Sequence, residues 1–206
     1  MRQVKMNSYS GKFVAVEGVD GSGTSTTVHN LYEILDSNWC RTCEPSVGKY
    51  GRQVRKNLKS DDDPTVSDFF MFCADRFDHC QSLIGPRLDS GYNVLTDRYN
   101  LSTYAYQSPI IENRLDGRDG IDYIDEVLGD FIIEPDLTIL LDLPVERALE
   151  RKEGDEKEKY EDEDRLEQTR SVYREVAKRK DYVKIIDAEQ EEQEIMWKCY
   201  DLIEAL

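Results

Sequence analysis

The sequence is short of the groups on which several kinds of protein depend. Its 206 residues hold two histidines, His29 and His79, and five cysteines. No second Cys-x-x-Cys accompanies Cys40 and Cys43, so a structural zinc site has too few ligands at the usual spacing. Five is an odd count without the density of a disulfide framework, which suits a reducing, cytoplasmic compartment. No stretch approaches the roughly 18 apolar residues of a membrane span. The opening MRQVKMNSYSGK lacks the apolar segment of a signal peptide. Basic residues are in deficit, with 27 Lys and Arg against 43 Asp and Glu, a net charge of −16. That balance argues against general affinity for nucleic acid or anionic lipid, whose phosphates would be repelled. A small polyanion remains an admissible ligand if positive charge is focused locally. The acid excess itself reads either as an ordinary soluble surface or as adaptation to high salt, where self-repulsion is screened.

What is present suits a packed domain. Hydrophobic residues make up 39% and aromatic residues 10%, too many for a disordered acidic chain. There is no internal repeat and no Pro/Gly/Ser-rich linker, so one domain over residues 1–206 is the economical reading. Short apolar runs at Phe13–Val16, Asn93–Thr96, Leu137–Leu143 and Tyr182–Ile186 have strand length. Arg41–Pro45 is a weaker fifth candidate. Between them lie helical periods. Val28, Leu31, Tyr32 and Leu35 form one, and Leu166, Val172, Tyr173, Val176 and Ala177 another. A third, from about Thr65 to Ile84, places Val66, Phe69, Phe70, Cys73, Phe77 and Cys80 on one face. Strands alternating with helices predict an α/β fold, a parallel sheet covered on both faces.

After the first strand comes Gly18-Val19-Asp20-Gly21-Ser22-Gly23-Thr24-Ser25-Thr26, and then a helical pattern. This nearly fits the phosphate-binding loop G-x-x-x-x-G-K-[ST]. Glycines let backbone N–H groups close on phosphate oxygens, and the helix N-terminus adds partial positive charge. Ser25 occupies the position that holds Mg²⁺. Thr24 stands where lysine would reach the β- and γ-phosphates, and threonine supplies no charge. Three readings stay open: a loop that binds nucleotide without efficient catalysis, a loop assisted by another basic residue, or a tight turn alone.

A second group of residues suits a flat, anionic ligand. Phe72 and Arg76 are one turn apart and lie to one side of the apolar stripe, an aromatic to stack on and a guanidinium to clamp phosphate. Burial against another element explains that placement equally well. Asp97 and Arg98 follow the strand Asn93–Thr96, at the carboxyl end where open parallel sheets bind ligands. They read either as a ligand site or as a structural ion pair. Ser102, Thr103, Tyr104, Tyr106 and Gln107 then supply hydroxyl and amide groups. From Glu150 to Arg165 nearly every residue is charged, either a solvated helix or a mobile lid.

On these residues the chain resembles the thymidylate kinases, among the P-loop nucleoside monophosphate kinases. The matching segments are FVAVEGVDGSGTST, CEP, FFMFCADRFDH, LDSGYNVLTDRYNLSTYAYQ and PDLTILLDLPVERALER, with EKYE at 158–161 similar to a lid motif. The resemblance implies a three-layer fold around a five-stranded parallel sheet, with a helical lid at about 147–165. It implies γ-phosphoryl transfer from ATP to dTMP with Mg²⁺, and a homodimer. It places ATP phosphates on Gly18, Asp20, Gly21, Ser22, Gly23, Thr24, Ser25 and Thr26. It places dTMP against Asp20, Phe72, Arg76, Arg98, Thr103, Tyr106 and Gln107, and the metal at Ser25 and Asp97. Arg98, Asp97, Lys159 and Arg151 become the catalytic candidates.

Two departures stand out within the resemblance. Thr24 is the first, with Arg151, Lys152, Lys157 and Lys159 as candidate substitutes for the missing charge. Cys43 is the second, where the family usually has an arginine before Glu-Pro, with Arg41 and Arg55 as candidate substitutes. Alternatives therefore remain: an impaired or non-catalytic nucleotide-binding homologue, or a kinase for another nucleoside monophosphate. Cys40-Arg41-Thr42-Cys43 also matches a thiol redox motif superficially, but such a motif opens a helix and here a strand is expected.

Overall fold

The computed structural model describes residues 9–60, 62–152, 160 and 162–206. Five parallel strands are ordered β2-β3-β1-β4-β5: β1 Phe13–Gly18, β2 Trp39–Cys43, β3 Asn93–Asp97, β4 Leu137–Asp142 and β5 Val183–Asp187. All six residues of β1 are buried, as a central strand covered on both faces requires. Its alternate side chains enter two cores. Val14 and Val16 join Leu31, Phe69 and Leu101, whereas Phe13 and Ala15 join Ile84, Leu88 and Tyr99. The fifth, weaker strand expectation is met by β2, one edge of the sheet. It carries Cys40 and Cys43 in extended backbone, so the redox motif lacks its helix, and all five cysteines are free thiols.

The helices are α1 Thr24–Ile34, α2 Lys49–Leu58, α3 Val66–His79, α4 Gly85–Asp89, α5 Asn100–Glu112, α6 Gly120–Leu128, α7 Val145–Arg151, α8 Glu163–Arg179 and α9 Glu192–Glu204. No helix among the described residues is long and apolar enough to cross a membrane. A reciprocal capping box between Thr65 and Asp68 starts α3. The expected helix to Ile84 does continue, but Cys80–Ile84 widens into a π-helical turn. The buried face of α3 also differs from the expected apolar stripe. Phe70 is half exposed, while Asp68, Asp75, Arg76 and His79 are buried. Phe69, Cys73 and Cys80 of the stripe are buried as expected, but the covered face extends to these polar residues because partners on other segments, such as Glu44 for Arg76 and Ser46 for Asp75, satisfy them.

The strand order sets the site. From β1 the chain passes over β3 to β2, returns to β3, and then crosses β1 to reach β4. The carboxyl ends of β1 and β3 therefore flank a topological switch point, where such sheets bind ligands. Register brings Val16 opposite Asp97 and Gly18 opposite Leu141, so the loop after β1 lies beside the loop after β3.

Glu17 is the charged residue within buried β1. Its Oε1 accepts from the Tyr99 N–H at 2.8 Å and the Ser102 N–H at 3.1 Å, and its Oε2 from the Ser102 hydroxyl at 2.6 Å and the Tyr173 hydroxyl at 3.2 Å. One carboxyl thus joins β1, the start of α5 and α8.

Two outcomes follow for stability. Leu31 is fully buried in the larger core, and Leu31→Ala is expected to cost about 2–5 kcal/mol in urea unfolding. Burial holds the Glu17 carboxyl above its ordinary value of 4.5, against the opposing pull of Ser102, Arg98 and the Tyr99 N–H. A carboxyl raised by folding contributes most below its unfolded value, and that contribution is lost as pH rises through the folded value. Glu17→Gln should therefore flatten the decline of unfolding free energy above pH 4.5. Parallel profiles for the two proteins would show that Glu17 does not titrate in this way.

Candidate active site

The loop after β1 is built around backbone. Gly21 and Gly23 have φ of 85° and 91°, left-handed values that favour glycine. Gly18 has no room for a side chain, since a Cβ would lie 2.4 Å from Ser22 Oγ and 2.7 Å from the Leu141 carbonyl. A Cβ on Gly21 would lie 2.6 Å from the Ala148 carbonyl, so α7 packs directly on the loop. The first turn of α1 opens into a cavity of about 730 Å³ lined by Gly21 to Thr27. Arg98, Arg147, Arg151 and Lys152 bring positive charge to its walls, and Glu189 to Glu192 form part of its rim. Thr24 is buried at the foot of this cavity. Arg151 bridges two segments, donating to the Gly21 carbonyl at 3.4 Å and the Ala188 carbonyl at 3.1 Å.

A second cavity, of about 360 Å³, adjoins the first. Phe72, Arg76, Thr103, Tyr106 and Gln107 all line it, as expected, together with Cys43, Arg55, Leu58 and Tyr160. Thr103, Tyr106 and Gln107 share one face of α5 by their i, i+3 and i+4 spacing. Gln107 Nε2 is buried in this wall beside the Tyr160 phenol. Tyr160 closes the far wall: its hydroxyl donates to Asp68 Oδ2 at 3.2 Å and its ring meets Tyr106 edge-on at 5.6 Å. Tyr104 does not join this wall, because its hydroxyl turns to Asp125 at 2.5 Å.

Asp20, Ser25 and Arg98 line both cavities. Arg98 donates to Asp20 Oδ1 at 2.5 Å, the Gly18 carbonyl at 2.5 Å and the Tyr173 hydroxyl at 3.1 Å. Its φ of 65° is unusual for a branched-out side chain and is held by those bonds. Tyr106 donates to the other Asp20 oxygen at 3.0 Å. Burial first, and then the Asp20 charge, lift the Tyr106 phenol well above its ordinary value, so it stays a donor. Ser25 Oγ donates to Asp97 Oδ2 at 2.5 Å, and Asp97 Oδ1 is buried without a hydrogen-bond donor among the described residues.

The arginines of the second cavity differ in what they have left to give. Arg76 is 1% exposed. Its Nε and Nη2 donate to Glu44 Oε2 at 2.9 and 2.7 Å, Nη1 to Thr103 Oγ1 at 2.6 Å, and Nη2 also to the Tyr99 carbonyl at 2.8 Å. Four of the five guanidinium N–H groups are thereby used. His79 supports the same carboxylate, with Nδ1 3.1 Å from Glu44 Oε1 and Nε2 2.8 Å from Thr42 Oγ1. Arg55 instead bonds neutral groups, the Ser46 and Pro45 carbonyls and Cys43 Sγ at 3.5 Å. Among the described residues it has no carboxylate in an ion pair. Burial pushes the Cys43 thiol up despite Arg55, so it adds no negative charge. Arg41, the other candidate substitute, lies elsewhere: it contacts His29 Nδ1 at 3.0 Å and covers Tyr32.

Lys157 and Lys159, with the rest of 153–159 and residue 161 of the expected lid segment, lie outside the described residues. Glu17, Glu44, His79, Tyr173 and Tyr160 were not singled out as site residues from sequence. Glu17 carried a readable signal, a lone carboxylate in an otherwise apolar strand. His79 carried none, since its partners are 35 and 37 residues away.

Comparison with known proteins agrees with this geometry. The family model for thymidylate kinase matches residues 16–198. A thymidylate kinase of Brachyspira hyodysenteriae is 38% identical over 146 residues, 68% of each chain. A probable thymidylate kinase of Methanosarcina barkeri is 36% identical over 173 residues, 81% of this chain and 82% of that one. The solved thymidylate kinase structure from Candida albicans superposes with a TM-score of 0.77 at 26% identity, covering 95% of this chain and 92% of that one. Phosphate loop, strand order and relatives converge: the chain belongs to the thymidylate kinase family.

Proposed function

We propose that the protein transfers the γ-phosphoryl group of ATP to dTMP, giving ADP and dTDP. The observation that carries this reading is the junction of two cavities at Asp20, Ser25 and Arg98. The larger cavity, floored by the glycine loop and the N-terminus of α1, takes the ATP phosphates on Gly18 to Thr26. The smaller takes dTMP, with Phe72 against the base and Gln107 Nε2, Thr103 and Tyr106 on its edge and sugar. Arg98 sits between donor and acceptor phosphates, where charge develops during transfer. The acceptor phosphate oxygen is the nucleophile, so no covalent protein intermediate is required. Exclusion of water by the segment at about 147–165, acting as a lid within one domain of residues 1–206, suppresses ATP hydrolysis.

Mg²⁺ fits the same junction. It takes few protein ligands, commonly one or two carboxylates besides phosphate. Ser25 Oγ and Asp97 would hold it, and the buried Asp97 Oδ1 without a donor is the group such an ion satisfies. When bound, the ion shields charge on the β- and γ-phosphates. A homodimer in the cytoplasm completes the reading. Half-exposed Phe70 on α3 and exposed Phe131 offer apolar surface to a second copy, and sedimentation velocity tests it.

Arg55 takes the part of the arginine missing at Cys43. Arg76 is neutralised by Glu44 and Arg98 by Asp20, whereas Arg55 has no ion-pair partner among the described residues and faces the acceptor cavity. Arg55→Gln is expected to raise KM for dTMP about tenfold or more, the scale of one charged hydrogen bond, with KM for ATP changed less than about twofold. An unchanged KM for dTMP would remove Arg55 from phosphate binding. The activity itself is tested by ADP release from ATP with dTMP, dUMP, dGMP, dCMP and UMP. Turnover is expected to favour dTMP. A clear preference for another monophosphate, or no ADP with any of them despite ATP binding, would overturn the assignment.

A further inference from the structure

Two hydroxyls lie between the Glu17 carboxyl of β1 and the guanidinium at the junction of the cavities. Tyr173 on α8 is fully buried, and Ser102 stands in the first turn of α5. Arg98 Nη2 is committed to Asp20. Its Nη1 has two hydrogens and three acceptors: the Gly18 carbonyl at 2.5 Å, the Tyr173 hydroxyl at 3.1 Å and the Ser102 hydroxyl at 3.3 Å. A hydroxyl carries one hydrogen, so it serves Arg98 as an acceptor only when that hydrogen points elsewhere. Glu17 Oε2 supplies the direction, taking the Ser102 hydrogen at 2.6 Å and the Tyr173 hydrogen at 3.2 Å. The two hydroxyl oxygens are themselves 2.9 Å apart. Burial first, and then the Glu17 charge, lift the Tyr173 phenol well above its ordinary value, so its hydrogen is retained.

We propose that Ser102 and Tyr173 are positioning residues for phosphoryl transfer: their hydroxyls, oriented by Glu17, fix the plane of the Arg98 guanidinium between the two phosphate sites. The proposal rests on the reading of Arg98 as the group that meets the charge developing during transfer. The Asp20 pair keeps that charge in the cleft, but a single contact at Nη2 lets the guanidinium pivot about it. The Gly18 carbonyl takes one Nη1 hydrogen, and the hydroxyls from α5 and α8 hold the other. A planar fork held at both ends has one orientation. The hydroxyls bring no charge of their own, so their effect on the reaction is geometric. That effect is large where reacting groups must align, since a displacement of about 1 Å can cost on the order of 10²-fold in rate.

The test separates turnover from binding and from folding. Tyr173→Phe keeps the buried ring and removes only the hydroxyl. Its kcat with ATP and dTMP should fall about tenfold, while Kd for dTMP, measured by calorimetry without ATP, changes less than about twofold. Ser102→Ala should shift kcat and Kd in the same pattern. Tyr104→Phe is the control, because that buried tyrosine bonds Asp125 and lines neither cavity. Thermal unfolding should show both tyrosine variants losing similar stability, with kcat unchanged in Tyr104→Phe. Parent-like turnover in Tyr173→Phe would overturn the proposal. So would a rise in Kd that matches the fall in kcat, or an equal fall of kcat in Tyr104→Phe, since loss of a buried hydroxyl would then act through folding alone. Arg98→Lys with the kcat of the parent would remove Arg98 from the reaction and the proposal with it. A parent protein that phosphorylates no nucleotide would sink the kinase reading itself, a result distinct from an active parent whose Tyr173→Phe variant is equally active.

Discussion

The ion pair between Arg98 and Asp20 is the constraint on which the site depends. Asp20 belongs to the loop after β1 and Arg98 to the turn after β3, and parallel register alone brings those ends only side by side. The 2.5 Å contact closes them into one wall. Arg98 accepts a left-handed backbone to make it, a strain of about 1–3 kcal/mol, and its bonds to the Gly18 carbonyl and Tyr173 offset that cost. Asp20 also receives Tyr106 from α5. The floor of one cavity and the wall of the other are thus fixed by a single carboxylate. A shift in either loop would be felt by both ligands.

Behind this pair stands a buried polar scaffold that does not touch the reacting groups. Glu17 fixes the start of α5 and meets Tyr173 from α8, and Glu44 with His79 and Thr42 fixes Arg76. Asp75 adds the segment after β2 by accepting from the Ser46 N–H at 2.6 Å and its hydroxyl at 2.5 Å. Buried charges of this kind add little net stability compared with apolar packing, but removing one partner is costly. Their effect is geometric. They hold four elements of the acceptor cavity at fixed distances before a nucleotide arrives, which lowers the ordering cost of binding.

The sheet and loop were legible in sequence because they depend on local pattern. Phe13–Val16 and Leu137–Leu143 are apolar on both faces, and the glycines of the loop have backbone duties that no other residue performs. Residue chemistry alone offered Ser102, Thr103, Tyr104, Tyr106 and Gln107 together, and it was the family resemblance that narrowed them to Thr103, Tyr106 and Gln107. Arg76 was less legible. Its helical angle put it at the edge of the apolar stripe, yet it is among the most buried side chains, because Glu44 on another element neutralises it. Burial of a charge depends on a partner distant in sequence, and periodicity carries no information about that partner. The same reason hid His79, and it left the choice between Arg41 and Arg55 open. The two arginines differ in which element they occupy, edge strand β2 or helix α2, and only packing decides which one faces the cavity.

A protein of charge −16 that gathers two phosphate-bearing ligands needs its cations placed, and equally needs some of them left uncompensated. Arg76 and Arg98 carry carboxylates of their own, so the net field they offer an incoming phosphate is small until that pairing is shared. Arg55 meets carbonyl oxygens and a neutral thiol, and Arg147 meets an exposed carboxylate that water screens. Of the two positions at which an expected cation is absent, Cys43 lies 3.5 Å from Arg55, and Thr24 shares its cavity with Arg147 and Arg151. Part of the acidic surface reaches the cleft itself, since Glu189, Glu191 and Glu192 line the phosphate cavity, so the cations there must outweigh those carboxylates as well as meet the phosphates.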